Sequence, residues 1–140
     1  MKSVHVRLAG VLAVGLILAT ALGIRLLAGD NGVLDSSGPL AQYSGTALYA
    51  SMIYAGVYVL APATRPWPAG AVAVVFCWAV ECFQLTGLPA RWSAHSALSR
   101  LALGVQFDAG DLAWYTVGVL PLVALHTLVR WRARTREPSS

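Results

Sequence analysis

Long apolar runs separated by short polar or proline-rich breaks set the plan of the chain. The first, Leu8 to Ala28, is interrupted only by Arg25 near its end. At 1.5 Å rise per residue, about 20 residues cross the hydrocarbon core of a bilayer, so this run predicts one membrane span. Gly29 to Pro39 then gathers Asp30, Asn31, Gly32, Asp35, Ser36, Ser37 and Gly38, a cluster of turn formers with acids and no base, and predicts a loop. A second span is expected from about Ser44 to Ala61. The stretch from Pro62 to Pro68 ends it, because the prolines at 62, 66 and 68 remove donors and clash with the preceding turn. A connection this tight makes the second and third spans antiparallel and puts Arg65 and Trp67 at one membrane face. The third span is expected over about 69–88, with Pro89 marking its end, and the last over about 111–131, followed by a basic tail at 132–140.

Between Pro89 and Gly110 the apolar pattern breaks. Arg91, Trp92, Ser93, His95, Ser96, Ser99 and Arg100 precede Leu101-Ala102-Leu103-Gly104, and Leu98, Leu101 and Ala102 fall on one helical face. That spacing predicts a short amphipathic or re-entrant helix at the interface, between the third and fourth spans. Small residues recur every fourth position at Gly15, Ala19 and Gly23 and again at Ala47, Ser51 and Ala55, stripes on which another helix can approach closely. Tyr49, Tyr54 and Tyr58 lie in the second span. A mid-span hydroxyl needs a hydrogen-bond partner, so Tyr54 is expected to face protein. The fold class expected is therefore all-α: a four-span transmembrane helical bundle forming a single domain.

Composition changes the picture only by naming the solvent. Hydrophobic residues make up 57% of the 140 and charged residues 11%, with a mean hydropathy of +0.64, which is too apolar for a soluble domain of this length. The net charge of +4 could suggest a polyanion partner, but Arg130, Arg132, Arg134 and Arg136 follow directly on an apolar run, the placement of a cytoplasmic flank. Nucleic acid is accordingly not expected as a partner. Lys2, Arg7, Arg65 and the four tail arginines fall on one side of a four-span arrangement, against Arg25, Arg91 and Arg100 on the other. This predicts a multi-pass protein of the inner (plasma) membrane with both termini cytoplasmic. A rival reading takes the first run as a cleaved signal peptide, with Lys2 and Arg7 as its basic region and Ala19-Thr20-Ala21 as its cleavage site; the run is longer than the usual apolar core of about 7–15 residues. Cys77 and Cys82 point in different directions on one helix and lack the company a metal site needs, so both read as small apolar residues.

The candidate chemistry collects at the outer end. Glu81 and Gln84 interrupt an apolar span and share a helix face, as do Asp111 and Tyr115 on the last span. An acidic residue inside a span costs roughly 2.5–3.5 kcal/mol at mid-helix, less toward the interface, so Glu81 requires a partner or a wet cavity. Asp108 suits an N-cap and Asp111 the third helical position of a capping arrangement. Arg100 is the natural partner of Asp108 or Asp111, with Glu81 a further candidate, since opposite charges offset each other's desolvation. Glu81, Gln84, Arg100, Asp108, Asp111 and Tyr115 thus form either a structural clasp or a polar pocket for a headgroup or small solute.

These residues carry a resemblance. Glu81-Cys-Phe-Gln84, Leu98-Ser-Arg100-Leu101-Ala-Leu-Gly104 and Phe107-Asp108-Ala-Gly-Asp111-Leu112-Ala-Trp-Tyr115-Thr-Val-Gly118 together resemble the bacterial membrane family known as domain of unknown function 2809. Tyr43-Ser-Gly45-Thr-Ala-Leu48-Tyr49 is similar to that family's second-span start, with Thr46 where an acidic residue is expected. A looser similarity reaches VanZ-like membrane proteins, which also place E-x-x-Q on one span and an arginine before an Asp-led span. Neither implies a settled activity. Three roles stay open. One is an accessory or scaffold protein of the bacterial envelope, and it needs no cofactor, metal or nucleophile. The second is a binder or transporter of lipid headgroups or small solutes, for which so few spans call for a homo-oligomer. The third is a membrane enzyme using Glu81 or Asp111 as base beside His95, a reading no catalytic motif supports. The partners expected are the bilayer itself and lipid headgroups or another membrane protein.

Overall fold

The computed structural model describes residues 2–31, 39–96, 98–99, 103 and 106–136, with the side chains of residue 2, 25–31 and 39–41 left aside. The described residues form α1 (Lys2–Asn31), α2 (Pro39–Leu60), α3 (Pro66–Gln84), the short α4 (Leu88–Ser93) and α5 (Ala109–Thr135). Three of these are long and apolar enough to cross a membrane, over Ser3–Ile24, Pro66–Gln84 and Ala109–Thr135. The chain is thus an all-helical membrane protein. α2 has the length of a span, and Gln42, Thr46, Ser51 and its tyrosines place polar groups along it.

The proline-rich connection starts a helix as well as stopping one. Arg65, held extended at φ −74° and ψ 154°, is the N-cap of α3, and Pro66 takes the first helical position, where a missing N–H goes unmissed. At the other end, α3 closes at Gln84, short of the expected Leu88. The N–H groups of Leu85, Thr86 and Gly87 donate to the carbonyls of Cys82, Phe83 and Gln84, each at 3.1 Å, and tighten the chain into a turn. Gly87 then adopts φ +71°, a left-handed conformation that suits glycine. Pro89 does not mark the end of the third span. It lies in the first turn of α4, so the proline opens a helix here too. The expected loop at 29–39 is shorter at its start, because α1 continues through Asn31. Of the amphipathic or re-entrant helix expected further on, Arg100, Leu101, Ala102 and Gly104 lie outside the described residues.

α2, α3 and α5 pack on one another around Ala50, Tyr54, Tyr58, Ala69, Ala73, Cys77, Tyr115, Val119 and Val123, while among the described residues α1 touches only α2. Thr46 meets Asp111, Ser51 meets Gly118 and Tyr54 meets His126, so α2 and α5 run parallel. α3 runs against both, with Glu81 beside Tyr115 and Gly70 beside Val119 and Val123. Gly10 of α1 lies against Ala55 and Val59, which brings the start of α1 to the end of α2.

The second small-residue stripe does what its spacing predicts. A Cβ on Gly118 would collide with the backbone of Ala47, and the Ser51 hydroxyl lies 2.9 Å from the Gly118 carbonyl. The first stripe does not. Gly15 and Gly23 have nothing within 4 Å of an added Cβ, so that stripe faces away from the bundle, and Gly10 makes the close contact instead. This arrangement leaves two unlike ends. Gln42, Thr46, Glu81, Gln84, Asp108 and Asp111 lie at one, and Arg7, Arg65, Arg130, Arg132, Arg134 and Arg136 at the other.

Candidate functional site

The polar end is built around Glu81. It lies in the last turn of α3, its side chain is only 1% exposed, and it is the largest fully buried side chain described. Its Oε1 accepts from the Asp108 backbone N–H at 2.7 Å and its Oε2 from the Tyr115 hydroxyl at 2.9 Å. The helical spacing explains the reach: Glu81 faces the α5 stripe on which Asp111, Tyr115 and Val119 follow at intervals of four. Trp78, one turn earlier on α3, donates its indole N–H to the Leu112 carbonyl at 3.0 Å and fixes the same pair of helices.

Asp108 is the N-cap of α5, as its place in the sequence predicts, with Oδ1 accepting from the Gly110 N–H at 2.8 Å. The rest of the expected capping arrangement differs. In a local capping box the acid at the third helical position reaches back to the N-cap N–H. Here Glu81 of α3 takes that N–H, and Asp111 turns to α2, where its Oδ1 lies 2.9 Å from the Thr46 hydroxyl. Gln42 donates to Asp108 Oδ2 at 2.7 Å, so α2 reaches both acids. Tyr43 stacks on Trp114 beside them, with ring centroids 5.1 Å apart. The start of α5 is therefore capped by Asp108 itself and by Glu81 of α3, while α2 donates to the two acids there.

Gln84 completes the set differently. Its Nε2 donates to the Leu103 carbonyl at 2.6 Å, tying the end of α3 to the chain that leads into α5. Its Oε1 is buried and has no hydrogen-bond partner among the described residues. Reversing the amide would set oxygen against the carbonyl of Leu103, so the orientation is fixed by chemistry.

Of the residues the sequence singled out, Glu81, Asp108 and Tyr115 are joined directly, Asp111 joins them through α5, and Gln84 sits one turn from Glu81. Arg100 lies outside the described residues. Among the described residues, each oxygen of Glu81 accepts from one neutral donor. His95 and Arg91 are exposed on and just after α4. Among the described residues no group of His, Cys, Asp and Glu is arranged to hold a metal ion. Sequence reading missed Gln42 and Thr46 as members of the cluster. Their spacing of four at the start of α2 was the available signal, a polar pair on one face of an apolar helix.

A second polar group sits nearer the basic end. Tyr54, 5% exposed, has its hydroxyl 3.1 Å from His126 Nδ1 and 3.4 Å from the Tyr58 hydroxyl. The expectation that Tyr54 faces protein is met, and its main partner is a histidine the sequence did not single out.

Residues 36–119 match the model of a family described as a protein of unknown function (DUF2809). The match covers more than half of the chain and every residue of the polar cluster, and it stops before His126 and Arg130. It bears on the first of the two resemblances, not on the VanZ-like one. No solved structure matches the chain.

Proposed function

The chain belongs to the DUF2809 family, and from that premise we propose that it is an accessory or scaffold protein of a bacterial inner membrane, with no catalytic role of its own. On this reading α2 is a fourth span, both termini are cytoplasmic, and the polar cluster is a clasp. The observation that carries the clasp is the pair of bonds at Glu81. One carboxylate oxygen holds the start of α5 and the other holds Tyr115 to α3, and the side chain is almost fully buried. The topology is supported by the gathering of Arg7, Arg65 and the tail arginines at one end of the bundle, the distribution that keeps an end cytoplasmic.

The test separates a clasp from a chemical group. Glu81→Gln keeps an acceptor for the Asp108 N–H and offers an amide N–H to a Tyr115 hydroxyl that can rotate to accept it. A clasp therefore predicts that Glu81→Gln melts close to the parent and complements a deletion strain, while Glu81→Ala fails at both. A Gln variant that melts like the parent and does not complement would overturn the proposal.

A second reading is favoured by one observation, the Oε1 of Gln84, buried without a partner among the described residues. A buried acceptor without a donor is costly, and a headgroup ammonium or a hydroxylated solute would supply one. The protein would then be a headgroup or solute binder, working as a homo-oligomer if it transports. Gln84→Met keeps the volume and removes both the acceptor and the bond to Leu103; this reading expects co-purifying lipid or solute to be lost from that variant, and the clasp reading expects a lower melting temperature with nothing lost.

A further inference from the structure

We propose that the basic end of the bundle holds an anionic phospholipid, one acyl chain lying in the groove between α3 and α5 and the phosphate resting on Arg65 and Arg130. The groove has a volume of about 230 Å³ and is walled by Trp67, Gly70 and Val74 of α3 and Val119 and Val123 of α5. Its walls carry no charged side chain, and both helices that form it have the length and apolarity of spans. Gly70 lets the two helices approach closely at the floor of the groove, an added Cβ there meeting the Val123 methyl, and Trp67, 63% exposed, stands over the end nearest the basic residues.

The mouth has the complementary charge. Arg130 extends from α5 to the connection between α2 and α3, where its guanidinium donates to the Thr64 carbonyl at 3.3 Å. The residue after Thr64 is Arg65, exposed at the N-cap of α3 two residues before Trp67. A guanidinium has five N–H donors, so the bond to Thr64 leaves Arg130 able to bind phosphate oxygens. The described acids, Glu81, Asp108 and Asp111, all lie at the opposite end of the bundle. An apolar slot in the hydrocarbon region with two guanidinium groups at its headgroup end matches the two halves of an anionic phospholipid, and tryptophan is a residue that settles at that depth. A soluble anion would use only the arginines, and a neutral lipid only the slot.

The experiment reconstitutes the full chain in nanodiscs of phosphatidylglycerol mixed with phosphatidylcholine and reads the lipid kept by the protein in native mass spectrometry. The parent is expected to keep phosphatidylglycerol in preference to phosphatidylcholine, with about a fivefold contribution from each arginine near the surface. Arg65→Gln, at an exposed site with no role in packing, should lower that preference, and Arg65→Gln with Arg130→Gln should erase it. Val74→Trp, which fills the slot, should lower retention of both lipids. Melting of each variant establishes that it is folded. Equal retention of the two lipids by the parent, or unaltered retention by Val74→Trp, would overturn the proposal. So would a preference abolished by Arg132→Gln with Arg134→Gln and not by the Arg65 and Arg130 pair, because the tail charge alone would then explain it. A dimer cross-linked through Trp67 would also overturn it, since a second copy would then fill the groove.

Discussion

At Glu81 the cost of placing a carboxylate in an apolar helix is offset by two donors that themselves need an acceptor. The N–H of Asp108 belongs to the start of α5 and cannot bond within its own helix, and the Tyr115 hydroxyl is buried. Removing the acceptor therefore strands both. Glu81→Ala is expected to lose about 2–5 kcal/mol, from an emptied core site together with two unpaired donors. Tyr115→Phe deletes one bond and no volume, and should cost about 0.6 kcal/mol and at most about 1.7, the average and the maximum for hydrogen bonds between membrane helices. Detergent melting of both checks the order; a Tyr115→Phe loss as large as that of Glu81→Ala would mean that the Asp108 N–H bond contributes nothing. Asp108→Ala should lose about 0.5–2 kcal/mol for the cap, and more because Gln42 is left without its acceptor.

Among elements, α2 and α5 meet backbone to backbone at one glycine. Gly118 faces the backbone of Ala47, which cannot rotate away, whereas Gly70 faces the methyl groups of Val123, which can shift. Gly118→Ala is therefore expected to lose about 1–3 kcal/mol by overpacking, Gly70→Ala less. Gly15→Ala and Gly23→Ala meet open space and should be neutral or gain up to about 1 kcal/mol from the better helix former. A melting series over the four glycines measures this directly. If Gly15→Ala proved as damaging as Gly118→Ala, the face of α1 that carries Gly15 would have a packing partner in the membrane.

For the molecule as a whole, the separation of charge between the two ends decides how it sits in a bilayer. A reporter fused after Ser140 is expected to report cytoplasmic and one inserted within residues 32–38 to report the outer face. An outer-facing C-terminus would reject the orientation, and a mature chain starting after Ala21 would reject the first span. The parallel arrangement of α2 and α5 follows from the same topology. Two helices separated by a single antiparallel one, α3, run in the same direction, and that is what lets Thr46 and Ser51 of α2 meet Asp111 and Gly118 of α5.

What the sequence determined by itself was whatever rests on local chemistry. Apolar runs of span length, the proline-rich break after Leu60, the N-cap role of Asp108 and the matching faces of Glu81 and Tyr115 all follow from spacing and residue type within a few positions. Pro89 was misplaced because a proline both ends one helix and begins the next, and only the left-handed turn at Gly87 decides between them. The partners were decided by the tertiary structure alone. Asp111 and Glu81 are each suited to cap α5, and no local rule says that the distant Glu81 takes the N–H of Asp108 while the near Asp111 turns to Thr46. Likewise two stripes of small residues have the same spacing, and only packing buries the one on α2 and leaves the one on α1 open. Periodicity fixes which residues share a face; which face meets which is settled by the order in which helices with several usable faces pack together.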